Sequence, residues 1–481
     1  MSEELRAIVD VAGQSSASVA LSDALADMYH AFQETIVVER ALVDGSLKNL
    51  VTFDDAKLEP VHRWFNFKEG YSPRLLPWVL ARGLVPNNTR LQLLDPYCGV
   101  GTTLLASMSP PCDERISLAV GIERNPAIHA IAQAKTRWPL YSVDRIAATL
   151  ACLRADKGRQ DHVYAVPSLS TFSETRRGEK RAFAPTVLQD LLYYQQWIAG
   201  ACGETAESAF FMAAWTAIIE KASNTRKDGR ALRLLPEVTT GDVKALLLAQ
   251  CEVMLADVRA LQGASQRTHE VPMCRTQRTR VLLGDARELP FDDGAFTLIC
   301  YSPPYLNNID YTEVYKLELW LRGDVTSHDA FRALRLSTFR SHPSIIFPHS
   351  ALCDGLDHDA WIVRLKAALL AALPEDRFLS MRRRLFAGYI DDLILSLREQ
   401  HRVAAPGAPI ICVIGNSLHG GAQKVLVCSD LLIAAAAQAV GLVVDRLQIA
   451  RQLPRRDHQN GWLRETILVM HKPHAIQDDS L

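Results

Sequence analysis

The tetrapeptide Ser302-Pro303-Pro304-Tyr305 carries the strongest chemical signal in the sequence. Two consecutive prolines remove two backbone N–H donors and stiffen the chain, so the carbonyls of Ser302 and Pro303 are not consumed by a following helix. Together with the Ser302 hydroxyl they make an array of acceptors, which suits a planar exocyclic NH2 with two hydrogens to place. Held in a bent arrangement, such an amine keeps its lone pair localised and becomes a nucleophile. Tyr305 supplies a flat face on which a base drawn out of its helix can stack. A Ser-Pro-Pro-Tyr standing alone would read as a strand-ending turn with a structural tyrosine. Its place after a strand of the same sheet as a second constellation favours the chemical reading.

That second constellation is Asp95-Pro96-Tyr97-Cys98-Gly99-Val100-Gly101-Thr102-Thr103. Gly99 and Gly101 permit close backbone approach to a ligand. The third glycine of a dinucleotide fingerprint is missing, because position 104 is Leu104, and no Gly-Lys-Ser/Thr follows, so a P-loop is excluded. Glu123 ends the next strand about twenty residues on, where a carboxylate accepts hydrogen bonds from both hydroxyls of a ribose. Asp285, in Gly284-Asp285-Ala286, stands where it can accept from an adenine amino group. Acids at three successive strand ends suit a cationic nucleoside better than a pyrophosphate, and the sulfonium of S-adenosylmethionine fits that description.

For these residues to meet, they must sit at the ends of neighbouring strands. Arg90 to Leu94 reads as a short buried strand, followed by the glycine turn and an apolar stretch from Thr102 to Met108. Ile116 to Ile122 reads as the second strand, and Asn125-Pro126 opens a helix over Ala127 to Lys135. Strand–turn–helix–strand–helix is the opening of a doubly wound α/β sheet. Strand signals return at Arg280 to Gly284, Phe296 to Tyr301 and Pro409 to Ile414, then in a final pair, Leu442 to Leu453 and Glu465 to Met470. Ala20 to Val43 carries apolar residues at helical spacing, as do Val187 to Ala199, Ala209 to Ala222, Val243 to Leu261 and Ser429 to Val440. The division expected is an N-terminal helical segment (1–58), three pieces of sheet core (59–138, 279–322 and 406–475) and two helical insertions (139–278 and 323–405).

At this level of detail the residues resemble a family, the S-adenosylmethionine-dependent amino-methyltransferases of DNA. The resemblance rests on Asp95 to Thr102 as cofactor motif and on Ser302-Pro303-Pro304-Tyr305 as catalytic motif, with matching pieces over residues 61–135, 279–321 and 406–472. It implies a Rossmann-like methyltransferase sheet, doubly wound, with a reversed final strand pair. It implies a cofactor site of Lys68, Tyr71, Ser72, Asp95, Tyr97, Gly99, Gly101, Thr102, Glu123, Asp285 and Ala286, with Lys68 to Arg74 lining the methionine end. The serine form of the catalytic motif is typical of N4-cytosine enzymes, an aspartate there of N6-adenine enzymes. Further implications are double-stranded DNA with a flipped base as substrate, restriction or defence components as candidate partners, and target recognition by the first insertion. The only Pro-Cys, Pro111-Cys112, lies in a loop before the second strand, which excludes a cytosine-C5 nucleophile.

Composition bounds the rest. The chain has 481 residues, 48% hydrophobic and 22% charged, with 53 basic against 54 acidic side chains and a net charge of −1. A protein that coats nucleic acid non-specifically is strongly basic, so any polyanion contact must come from local clusters. Four exist: Arg176 to Arg181, Arg226 to Arg230 with Arg233, Arg275 to Arg280, and Arg382 to Arg384. In the second, Arg226, Lys227 and Arg230 are candidate phosphate contacts, weighed evenly against a helix end whose basic residues complement its dipole. Asn307, Asn308, Asp310 and Tyr311 follow the catalytic motif and are candidates for the target base's edge, weighed against Tyr311, Tyr315, Leu317 and Leu319 starting the next packed helix. The spacing of His342, His349, Cys353 and His358 matches no zinc motif, so no metal is expected. No apolar run is long enough for a bilayer, the N-terminus lacks an apolar signal core, and the ten cysteines form no CxxC pair; the expectation is a reduced, cytoplasmic protein. The rival readings are an N6-adenine enzyme, an RNA amino-methyltransferase and a non-catalytic nucleic-acid-binding subunit.

Overall fold

The computed structural model describes residues 14–40, 47–67, 70–85, 89–166, 182–227, 232–235, 241–267, 276–307, 309–348, 352–419, 424–453 and 461–474. The strands, in chain order, are β1 (Val38–Arg40), β2 (Leu91–Asp95), β3 (Ile116–Glu123), β4 (Thr225–Lys227), β5 (Leu232–Leu234), β6 (Thr279–Leu283), β7 (Leu298–Tyr301), β8 (Pro409–Gly415), β9 (Ser417–His419), β10 (Val425–Val427), β11 (Val443–Gln452) and β12 (Arg464–His471). Eight of them form one sheet in the order β1-β11-β12-β8-β7-β2-β3-β6. β7 and β8 are buried at every position. Such near-continuous apolar strands are what a parallel sheet covered on both faces requires.

Most neighbours in the sheet are parallel, and β12 is antiparallel to both β11 and β8. Since β12 opposes both neighbours, it is the one reversed strand, and β11 runs with the rest; the expected reversal of a strand pair comes down to a single strand. From β2 the chain winds outward through β3 to β6, then returns to lay β7 against the other side of β2, pairing Leu93 with Leu298 and Leu94 with Ile299. This change of winding direction is a topological switch point, where loops at the carboxyl ends of two adjacent strands diverge and leave a crevice.

One face of the sheet carries the helices Gln14–Gln33, Trp361–Ala371, Leu379–Val403 and Ser429–Ala439, packed with Ile299, Ile410 and Leu468. The helices Val143–Ala155, Pro185–Cys202, Ala206–Ile218 and Val243–Arg267 form a bundle around Trp64, Tyr141, Phe210 and Trp215. That core continues into the Pro126–Thr136 helix and Leu317, so the bundle packs on the sheet's own helices.

Two expectations fail locally. The N-terminal helix stops at Gln33 and does not run to Val43; Thr35 Oγ1 donates back to the Phe32 carbonyl at 2.7 Å, and the β-branched run Thr35-Ile36-Val37-Val38 leads into β1, parallel to β11. The mainly helical insertion also contains a hairpin, β4–β5, and a second hairpin, β9–β10, follows β8.

Candidate functional site

Beyond the carboxyl ends of β2, β3, β6 and β7 lies a cavity with about 1090 Å³ of empty space, its open mouth included. The glycine turn and the Ser302 loop both line it. Of the residues expected at a cofactor, Tyr71, Tyr97, Gly99, Thr102, Glu123, Asp285 and Ala286 line the wall; of the catalytic motif, Ser302, Pro303 and Pro304 do. Ser72, Asp95, Gly101 and Tyr305 stand outside the lining, and Lys68, Asn308 and Arg230 lie outside the described residues.

The residues behind the lining explain its shape. Buried Asp95 accepts from the Tyr97 N–H at 3.1 Å and shares the two hydroxyl hydrogens of Thr103, 2.6 Å away, and Tyr71, 3.1 Å away, whose oxygens also touch each other. Asp95 therefore anchors the turn. Gly101, at φ +83°, is the N-cap of the Thr102–Ser107 helix, a conformation that excludes most side chains. Beneath the turn, a Cβ on Gly121 would fall 2.7 Å from Cys98 Cβ and Leu104 Cδ1, so the strand and the turn are in contact. Ser72 is turned away from the cavity, donating to Asp55 at 2.9 Å.

The two lining carboxylates differ. Burial pushes Glu123 up to about 7, against backbone N–H groups of Asn125, Arg124 and Gly99 that favour its charge. Burial would also raise Asp285, but Arg287 outweighs it, with Nε at 2.9 Å and Nη2 at 2.7 Å, and holds the carboxyl below its usual range. Arg287 in turn reaches Asp392 at 2.9 Å and the Ser337 carbonyl at 2.7 Å, tying the cofactor side to the Leu379–Val403 helix. The Tyr97 hydroxyl donates to Ser396 of the same helix at 2.6 Å.

On the other side, the Ser302 hydroxyl donates to the Val413 carbonyl of β8 at 2.9 Å. Its hydrogen is thereby committed, and it offers only lone pairs to a neighbour. The carbonyls of Ser302 and Pro303 receive no hydrogen bond from the described residues, whereas that of Pro304 accepts from Tyr389 at 3.3 Å. Tyr305 is partly exposed beside this loop. Its ring packs on Gly415, where a Cβ would lie 2.9 Å from Tyr305 Cε2. Aromatic rings that line the cavity are Phe67, Tyr71, Tyr97, Tyr311, Tyr315 and Phe339.

The expected nucleic-acid contacts divide. Arg226 is exposed on β4. Lys227 is buried, ion-paired with Glu318, and its Nζ lies 4.3 Å from the centroid of the Tyr315 ring. A side chain so enclosed cannot hold a phosphate, and its role is corrected to anchoring the hairpin. Asn307 Oδ1 accepts from the Ile309 N–H at 3.2 Å, a local turn contact. Sequence reading missed Arg287, Ser396 and His342 at this site; the strand-proximal Arg287, two residues after Asp285, was the one with a local signal. Among the described residues no cluster of three His, Cys, Asp or Glu could hold a metal, and no helix is long and apolar enough to cross a membrane.

No family model matches the chain. It is 23% identical over 486 aligned residues to the Type II methyltransferase M.BsoBI of Geobacillus stearothermophilus, covering 89% of this chain and 88% of that one. It is likewise 23% identical to the Type II methyltransferase M.AvaI, of Nostoc sp. and of Anabaena variabilis, over 89% of either chain. The similarity thus spans most of each chain, and the relatives that share it are named as Type II methyltransferases.

Proposed function

We propose that this chain transfers the methyl group of S-adenosylmethionine to an exocyclic amino nitrogen of a base in double-stranded DNA, N4 of cytosine being the favoured atom, as a site-specific modification or defence enzyme. The observation that carries the reading is one cavity bounded by both the glycine turn and Ser302-Pro303-Pro304. The names of its relatives point the same way.

The residues fit the donor. Close backbone at Gly99, acceptors at Glu123 and Asp285, and a wall of aromatic rings make an acidic, largely apolar site for a cationic nucleoside. When bound, the sulfonium supplies an activated methyl group. Glu123 then accepts the ribose hydroxyls, and Asp285, kept ionised by Arg287, accepts from the adenine amine. Ser302 Oγ and the Ser302 and Pro303 carbonyls accept from the target amine, aim its lone pair and keep it from planarity. Direct displacement needs no covalent enzyme intermediate, and positioning supplies much of the acceleration. Extrusion of the base brings the amine to these acceptors.

Exposed Arg226 stands directly across the β4–β5 hairpin from exposed Arg233. Like charges so placed repel, and a backbone phosphate between them relieves the repulsion while positioning the duplex. The test is transfer of labelled methyl to DNA by the purified chain, with nucleoside mass spectrometry of the product. N4-methylcytosine supports the full reading, and N6-methyladenine replaces its atom. No methylated DNA base, or failure to bind S-adenosylmethionine in calorimetry, overturns it. Ser302→Ala is expected to abolish transfer and leave binding of the donor intact.

A further inference from the structure

His342 belongs to the cavity wall, together with Ser302, Pro303 and Pro304. It is buried, 1% exposed, and its Nε2 has no hydrogen-bond partner. A buried polar atom left unsatisfied is costly and calls for a ligand or a reaction to explain it. The surrounding bonds fix which ring nitrogen carries the hydrogen. Ser344 Oγ donates to Asp310 Oδ2, which commits its only hydrogen. It also receives Arg335 Nη2 at 2.9 Å, and it lies 2.7 Å from His342 Nδ1. With that hydrogen spent, Ser344 can only accept from the imidazole, so Nδ1 bears the hydrogen and Nε2 is a bare lone pair. Asp310, 3.4 Å from Nδ1, stands behind this arrangement, and its own place is fixed because it caps the Tyr311–Val314 helix through the N–H groups of Thr312 and Glu313.

Resting on the methyltransferase reading, we propose that His342 is a catalytic base: Nε2 accepts one hydrogen of the target amine and removes it as methyl transfer proceeds. The electrons balance simply. The amine lone pair forms the N–C bond, the S–C bond breaks with its pair going to sulfur, and the cationic nitrogen loses its proton to Nε2. The imidazolium formed is stabilised by the charge of Asp310, 3.4 Å from Nδ1, and it returns its proton to solvent when product leaves. Ser302 and the Pro303 carbonyl hold the amine without being basic enough to take its proton, so the motif and the histidine divide the work. Burial lowers the basicity of His342, Asp310 and Glu313 oppose that, and Arg335 adds to it; the free imidazole is therefore neutral at neutral pH, as a base must be.

The test is single-turnover transfer from saturating S-adenosylmethionine to a DNA substrate as a function of pH, so that donor binding does not enter. Wild type is expected to lose rate on the acid side, below the usual histidine range. His342→Gln, which keeps an acceptor but not a base, and His342→Ala should both slow transfer by about 100-fold or more, with no acid limb and unchanged donor affinity. Ser344→Ala, which leaves the imidazole but frees its tautomer, should lose less and keep the limb. Either His342 variant transferring at the wild-type rate, or a wild type lacking the limb, would overturn the proposal; should His342→Ala not fold, His342→Gln and the wild-type profile decide. A wild type that methylates no DNA base would refute the underlying reading instead, which separates the two failures.

Discussion

Glu123 makes donor binding depend on pH in a calculable way. Its carboxyl is pushed up to about 7 by burial, so at pH 6 only about one molecule in ten holds it ionised in the free protein. If the ribose diol and the sulfonium require the carboxylate, the apparent dissociation constant at pH 6 is about tenfold above its alkaline plateau, and at pH 7 about twofold. That span corresponds to about 1.4 kcal/mol. Binding ionises the group, so each donor bound at pH 7 should release about half a proton. Calorimetry in two buffers of different ionisation enthalpy reads both quantities. Glu123→Gln retains an acceptor and cannot titrate; it should bind with one affinity across the range. Asp95, raised by burial to about 6, is also partly protonated there, but it lies behind the lining and remains in the variant as an internal control. Wild-type affinity that is flat between pH 6 and pH 8, or a slope that survives undiminished in Glu123→Gln, would refute the reasoning.

The same carboxyl affects the empty protein with the opposite sense to an ordinary ion-paired acid. Its folded pKa lies above the unfolded 4.5, so the stability it contributes is whole below that value and is lost as pH rises through about 7; thermal unfolding without ligand should record the decline, and Glu123→Gln should flatten it. Gly121→Ala forces a methyl group onto Cys98 and Leu104; a cost of about 1–3 kcal/mol by denaturant unfolding is expected, with weakened donor binding. Asp257 accepts from the Val61 N–H at 3.0 Å, Arg63 Nε at 3.1 Å and Trp64 Nε1 at 3.0 Å. Asp257→Ala leaves these donors stranded and should cost about 3–5 kcal/mol. Arg226→Glu should raise the KM for DNA and reduce its salt dependence without altering donor affinity, whereas Lys227→Ala should act on folding.

How far the sequence spoke depended on the range of the interaction. The sheet strands with a local apolar run, such as Pro409–Gly415 and Ile116–Glu123, were legible because burial on both faces writes itself into composition. β1 was not, because Val38–Arg40 is a strand only through its pairing with a segment some 400 residues away, Val38 lying opposite Leu447. At the site, the glycine turn and the Ser302 loop were legible as motifs, while the orientation of each side chain was not. Tyr305 packs an edge on Gly415, and Lys227 meets a carboxylate at Glu318, neither of which leaves a mark near those residues in the chain. His342 was visible only as one histidine among several; its meaning comes from Asp310, which the fold brings to it, and from its chain neighbour Ser344.

The buried pair of Lys227 and Glu318 bears on how such proteins could exchange parts. Lys227 comes from the β4–β5 hairpin, Glu318 from the segment after the Ser302 loop, and Lys227 Nζ also sits 4.3 Å from the ring centroid of Tyr315, a ring of the cavity wall. A grafted segment without a cation at the Lys227 position would strand the Glu318 carboxylate beside the cavity. Recombination within this architecture should therefore succeed only when crossover points carry both halves of the lock together, so that an exchanged segment brings part of the cavity's floor with it.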